Sequence, residues 1–189
     1  MPLVFFGKKM TKIYNFSAGP AMLPVSVMQK AQSEFLDWQS MGRSVMEISH
    51  RSKEYIAVAE TAEQDLRELL TVPDNYKVLF AQGGGRGQFS ALPMNLKMRA
   101  DSADFLLTGS WSVGALKEAS KFLKTNVVGE IVMQDGLSTV PSITASQVDQ
   151  KSAYFHYCSN ETVDGIEIND IPDSGDVPLV VDMSSNILS

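Results

Sequence analysis

What most constrains this chain is a series of short apolar runs set between helical stretches. Val78-Leu79-Phe80-Ala81 leads through a glycine cluster into a helical pattern carrying Phe89, Leu92 and Leu96. Phe105-Leu106-Leu107 leads into a second, from Trp111 to Phe122. The runs at 127–133, 154–157 and 179–181 continue the series. Runs this short and this apolar read as strands buried on both faces, and strands alternating with helices are laid parallel by their crossovers. The expected fold is therefore α/β, a mainly parallel sheet with helices on both faces. Between Gln134 and Lys151 the chain turns polar, with Pro141 and several serines and threonines. That segment reads as a surface connection with a short helix.

The first third of the chain is helical instead. Pro24 suits a first helical position, where its missing N–H is no loss, and Val27, Met28, Ala31, Phe35 and Trp38 then recur at steps that share one face. Gly42 ends that region. Ser52 suits the cap of a second helix with Glu54 near its positive end, and Ile56, Ala59, Glu63, Leu66 and Leu70 keep mostly helical spacing. Pro73-Asp74-Asn75 stops it.

Bulk properties exclude several classes of function. The 189 residues are 44% hydrophobic and 20% charged, an ordinary globular balance, with a net charge of −6. An acidic chain of this kind is a poor match for a protein devoted to nucleic acid or to anionic membrane surfaces. Val4-Phe5-Phe6 is too short for a signal-peptide core, and Lys8 and Lys9 follow it where a signal would place them first. Residues 1–11 read as an amino-terminal extension. No stretch reaches the ~18 apolar residues of a membrane span. Cys158 is the only cysteine, which rules out an internal disulfide and a multi-cysteine metal site and fits a reducing cytosol. A soluble, cytoplasmic protein is expected. Glu47, His50 and Glu54 have near-helical spacing, but one histidine with scattered carboxylates assigns no metal.

In an open α/β sheet ligands bind beyond the carboxyl ends of the strands, and four such ends carry suggestive residues. Gly83-Gly84-Gly85-Arg86-Gly87 joins a strand to a helix, where unobstructed amides make a phosphate cradle; glycine clusters also occur in turns that bind nothing. Asp182 ends the last apolar run. A carboxylate there needs a partner: a helix amino terminus, an arginine, or the protonated ring nitrogen of a flat cofactor. Trp111, at a helix start, is either core or a face for such a ring to stack on. Thr162, in the polar turn after Cys158, bonds either local backbone or a ring oxygen. His50-Arg51 adds an anion reader or a plain surface arginine ahead of a helix.

Together these strings are far more specific than any one of them. Tyr14-Asn15-Phe16-Ser17-Ala18-Gly19-Pro20-Ala21-Met22-Leu23-Pro24 is similar to the amino-terminal signature of phosphoserine aminotransferases, as is Ser44-Val45-Met46-Glu47-Ile48-Ser49-His50-Arg51-Ser52. Gly83-Gly84-Gly85-Arg86-Gly87-Gln88-Phe89 resembles that family's phosphate loop. His156-Tyr157-Cys158-Ser159-Asn160-Glu161-Thr162-Val163-Asp164-Gly165 and Asp182-Met183-Ser184-Ser185 complete the series in order. The resemblance runs almost unbroken from residue 12 to residue 189.

It implies a fold-type I, class-V enzyme dependent on pyridoxal 5'-phosphate. The implied reaction moves an amino group between L-glutamate and 3-phosphohydroxypyruvate to make phosphoserine for serine biosynthesis; some members also serve pyridoxine biosynthesis. On this resemblance Gly85 and Arg86 would hold the cofactor phosphate and Trp111 would stack on the pyridine. Thr162 would bond the ring hydroxyl and Asp182 the ring nitrogen, while His50 and Arg51 would meet the anionic groups of the substrate. The family is a homodimer. Residues 12–40 would be an amino-terminal segment and helix, and 41–189 an incomplete cofactor-binding large domain. The family's Schiff-base lysine would lie beyond Ser189, so the chain alone is expected to be inactive. The competing expectations are another fold-type I pyridoxal enzyme with a different acceptor, or a truncated, non-catalytic binding fragment.

Overall fold

The computed structural model describes residues 13–17 and 22–189. The expected extension at 1–11 and Ala18-Gly19-Pro20-Ala21 of the first signature lie outside the described residues. The chain forms two compact units, one ending at Pro73 and the other running from Asp74 to Ser189.

In the first unit, helix α1 spans Val25–Glu34, with Pro24 as its N-cap rather than its first helical residue. The expected apolar face stops short of Trp38. Helical geometry is lost at Asp37, and Trp38–Ser40 forms a tight 3-10 turn in which Gln39 and Ser40 take φ of 53° and 59°. That turn is closed by the Gly42 N–H, which donates to Asp37 Oδ1 at 2.7 Å, and it buries Trp38. Helix α2 spans Lys53–Leu70. Ser52 caps it as expected, its Oγ accepting from the Tyr55 N–H at 3.2 Å. The exposed Glu54 carboxyl is held below its usual pKa, first by a backbone N–H and then by the Ser52 hydroxyl. Thr71 closes α2 in the left-handed conformation just before Pro73. Neither α1 nor α2 contains a buried residue.

The second unit carries the sheet. Helix α3 (Gly84–Leu96) precedes strand β1 (Ser102–Leu107), helix α4 (Ser110–Ala119) and strand β2 (Lys124–Glu130). Strands β3 (Val132–Gln134) and β4 (Leu137–Thr139) form an antiparallel hairpin, followed by β5 (Phe155–Cys158). The short pair β6 (Asn160–Glu161) and β7 (Ile166–Glu167) comes next, and β8 (Leu179–Asp182) ends the series. The main sheet has the order β2-β1-β5-β8, and each of its pairings is parallel. This is the mainly parallel α/β sheet expected.

One expected strand is absent. Val78-Leu79-Phe80-Ala81 forms no strand, and Leu79 and Phe80 are 84% and 66% exposed. A strand exists only through its ladder, and these residues pair with no strand of the sheet. The polar stretch after Gln134 is more ordered than expected. Its Asp135-Gly136 pair, at φ 53° and 79°, turns the β3–β4 hairpin in the way an Asp-Gly dipeptide favours, and Ala145–Gln147 supplies the short helix.

Side chains alternate across the sheet with period two. Phe105 and Tyr154 pack with Phe89, Ala115 and Ala119 on the face covered by α3 and α4. Leu106, Phe155 and Tyr157 pack on the opposite face with Ile143, Val148 and Val177. Asp104 is fully buried in β1 and is satisfied by Asn126 Nδ2 at 2.9 Å, Ser152 Oγ at 2.8 Å and the Asp149 N–H at 2.6 Å.

Candidate active site

Strands β1, β5 and β8 run parallel, so their carboxyl ends meet at one rim, and two helices start there. Their amino termini differ. At α4 the positive end is already matched by acids. Glu161, fully buried, accepts from the Trp111 N–H at 2.7 Å and the Ser112 N–H at 2.8 Å, with the Thr108 hydroxyl at 3.5 Å. Asp164 accepts from the Ser110 N–H at 2.7 Å. Gly109 makes room for these acids, since a Cβ there would stand 2.8 Å from Glu161 Cδ.

Helix α3 has neither a side-chain cap nor an acid in its first turn. Gly83 and Gly84 enter it at φ 108° and 58°, a region that disfavours any residue with a Cβ. Its first internal bond is Gly87 N–H to Gly83 O at 3.0 Å. The amides of Gly84, Gly85 and Arg86 are those a helix start leaves without intrahelical acceptors. An anion placed there meets N–H donors and the positive end of the helix dipole.

Asp182 closes β8 opposite this turn. A Cβ built on Gly85 would stand 4.0 Å from Asp182 Oδ2 and 3.7 Å from Ser184 Oγ. Gly85, Gln88, Phe89, His156, Asp182 and Ser184 are among the walls of one cavity of about 690 Å³. Asp182 is held in place: its Oδ1 accepts from the Ser184 N–H at 3.0 Å and the Ser184 hydroxyl at 2.5 Å. The loops after β5 and β8 are tied together by Ser159 Oγ to Asn186 Oδ1 at 2.7 Å and Asn160 Nδ2 to Ser185 Oγ at 3.0 Å.

Trp111 and Thr162 form a pair, the indole Nε1–H donating to Thr162 Oγ1 at 2.9 Å. This bond fixes the indole and leaves the threonine proton available. Neither residue is in the wall of the cavity, and neither is Arg86. Cys158 is a neighbour of Asp182. Its thiol is 3.9 Å from Asp182 Oδ2, and its pKa is pushed up by burial, then by the charges of Glu161 and Asp182. His50 and Arg51 belong to the first unit, where the 49–52 turn exposes both; the Ser52 N–H donates to Ser49 O at 2.9 Å. The structure thus brings Gly85 and Asp182 to one cavity and joins Trp111 to Thr162.

Sequence reasoning gave no role to His156, Glu161 or Asp164. His156 is buried in β5, with neither ring nitrogen hydrogen-bonded. Its ring meets Phe89 edge-on at 5.8 Å and Phe105 at 5.4 Å. Burial pushes its pKa down to about 4, against the opposing pull of Asp182. A histidine inside the apolar run at 154–157 was the available signal. The caps by Glu161 and Asp164 join residues about 50 positions apart and leave no local trace.

Known proteins resemble this chain along most of its length. The family model for class-V aminotransferases matches residues 13–189. Among solved structures, a phosphoserine aminotransferase from Bacillus circulans subsp. alkalophilus is 43% identical with a TM-score of 0.85; the match covers 93% of this chain and 48% of that one. A pyridoxal-phosphate-bound phosphoserine aminotransferase from Trichomonas vaginalis is 38% identical with a TM-score of 0.81, over 93% of this chain and 49% of that one. The chain thus spans about half the length of these structures. With the family match extending through both units, this chain belongs to the class-V aminotransferase family.

Proposed function

We propose that this chain is part of a pyridoxal-phosphate-dependent phosphoserine aminotransferase, moving an amino group between L-glutamate and 3-phosphohydroxypyruvate. The observation that carries the reading is the approach of Gly85 to Asp182 across one cavity. It sets an anion cradle and a carboxylate on the walls of one cavity, the two groups that a phosphate-bearing ring with a basic nitrogen calls for. The fit has a steric side as well: a Cβ on Gly85 would project toward Asp182 and Ser184.

When bound, the cofactor supplies an electron-withdrawing ring and a reactive carbonyl for amino-group transfer. The residues of this chain bind and orient it. Gly85 and Arg86 hold the phosphate, the glycine by its amide and the arginine by its guanidinium. Asp182, its Oδ1 tied to Ser184, pairs with the ring nitrogen and keeps a proton there. Trp111, outside the cavity wall but at the start of α4 on the same rim, stacks on the ring where it emerges. Thr162, oriented by the Trp111 indole, donates its hydroxyl proton to the ring hydroxyl. His50 and Arg51 take the anionic groups of the substrate. The exposed apolar faces of α1 and α2 favour a homodimer, and a cytoplasmic role in serine biosynthesis, with pyridoxine biosynthesis as a second use, follows from the same reading.

The test is turnover by the full-length protein. Glutamate with 3-phosphohydroxypyruvate is expected to react well, and the unphosphorylated keto acid poorly. Equal turnover of both acceptors would favour a different aminotransferase of the same family.

A further inference from the structure

Among the described residues, His156 stands out as a buried polar side chain that the proposed chemistry leaves unused and unbonded. It is 2% exposed, and both its ring nitrogens are buried without a partner. Buried polar atoms without a hydrogen bond are rare in folded proteins, and those that occur need a reason. Packing alone is a poor one. Between Phe89 and Phe105 a phenylalanine would fill the same place with no polar atom to satisfy.

The ladder supplies a better reason. Strands β5 and β8 pair in parallel, with His156 opposite Val180 and Cys158 opposite Asp182. Side chains two positions apart share a face, so His156, Cys158, Val180 and Asp182 point the same way. The Cys158 thiol is 3.9 Å from Asp182 Oδ2, which confirms that face, and His156 and Asp182 are both walls of the same cavity. Asp182 is the charged group whose field reaches the imidazole. Ser184 holds Oδ1 of that acid, and Oδ2 has only the weak Cys158 thiol donor at 3.9 Å.

We infer that His156 is a positioning residue for Asp182, its neutral imidazole donating an N–H toward the carboxylate and fixing the acid where it would meet the ring nitrogen of the cofactor. This rests on the proposed binding of pyridoxal phosphate at Asp182. The last torsion of a histidine has a broad energy well, which lets the ring turn in its place. The bond would hold the acid from the strand side while Ser184 holds it from the loop side. It leaves the imidazole neutral and unable to compete with the ring nitrogen for the negative charge.

The experiment uses the full-length protein freed of cofactor and labelled with nitrogen-15 in histidine. In the unliganded protein the His156 imidazole is expected to show one protonated nitrogen, whose resonance moves when Asp182→Asn removes the charge. An unmoved resonance in a folded Asp182→Asn protein overturns the proposal. Pyridoxal phosphate is then titrated by quenching of tryptophan fluorescence. His156→Phe is expected to weaken binding roughly tenfold, about the worth of one hydrogen bond, while His156→Gln recovers most of the loss. Equal binding by wild type and His156→Phe also overturns it. If the wild type binds no pyridoxal phosphate, the functional reading fails, and the resonance in the unliganded protein still decides whether His156 bonds Asp182.

Discussion

Gly85 separates stability from function at the scale of one residue. It lies in the first turn of α3, outside the left-handed region that Gly83 and Gly84 occupy. An alanine there clashes with nothing, because its Cβ would make ordinary contacts at 3.7 and 4.0 Å. Gly85→Ala is therefore expected to stabilise the fold by about 0.5–1 kcal/mol, since glycine is the poorer helix former. The same methyl would intrude on the space beside Asp182, and pyridoxal phosphate should bind at least tenfold more weakly. Urea unfolding and a cofactor titration on one preparation check both signs.

His156 gives a second prediction at this scale, with its sign set by linkage. Its folded pKa is about 4, below the ordinary histidine value of 6.5, so between those values the unfolded chain binds the extra proton. Its contribution is complete above pH 6.5 and is lost as pH falls toward 4. The full effect is ~3 kcal/mol, because each tenfold difference in proton affinity between the two states is worth ~1.4 kcal/mol. Unfolding free energy measured between pH 7 and pH 4.5 should fall more steeply for wild type than for His156→Phe. Parallel curves would remove the buried neutral histidine from the account.

At the scale of elements, the acid caps of α4 are the most exposed to mutation. Glu161 accepts two backbone N–H bonds while fully buried, and hydrogen bonds to a charged group are worth ~1.5–3 kcal/mol each. Glu161→Gln puts amide hydrogens against amide hydrogens and is expected to destabilise the second unit by about 2–3 kcal/mol, read by urea unfolding. It should also loosen the Trp111–Thr162 pair, seen as a change in indole fluorescence. The same scale explains what could be read in advance. Strands β1, β5 and β8 were legible because an unbroken apolar run needs cover on both faces. Val78-Leu79-Phe80-Ala81 carries an equal signal and forms no strand, because a ladder needs a neighbour and the neighbour is not written in the run. Trp38 matched the period of α1 but lies beyond its end, where Gln39 and Ser40 take positive φ. Of the site, Asp182 and the glycine turn showed themselves by position after apolar runs. The pairing of Trp111 with Thr162 joins residues far apart in the chain and became visible only with the fold.

Across the whole molecule, the exposed apolar residues of the first unit set the expectation. Val27, Met28 and Ile56 on α1 and α2 are 51%, 51% and 42% exposed. On the proposed reading this apolar surface is an interaction face, and the full-length protein is expected to sediment as a dimer. A monomer at micromolar concentration would count against that use of α1 and α2. The central claim is that the glycine turn and Asp182 grip one pyridoxal phosphate between them. Equilibrium titration of the cofactor onto the full-length wild type and its Asp182→Asn variant tests this directly. Saturable binding that weakens at least tenfold in the variant is the predicted result; no saturable binding, or equal affinity in both proteins, would contradict it.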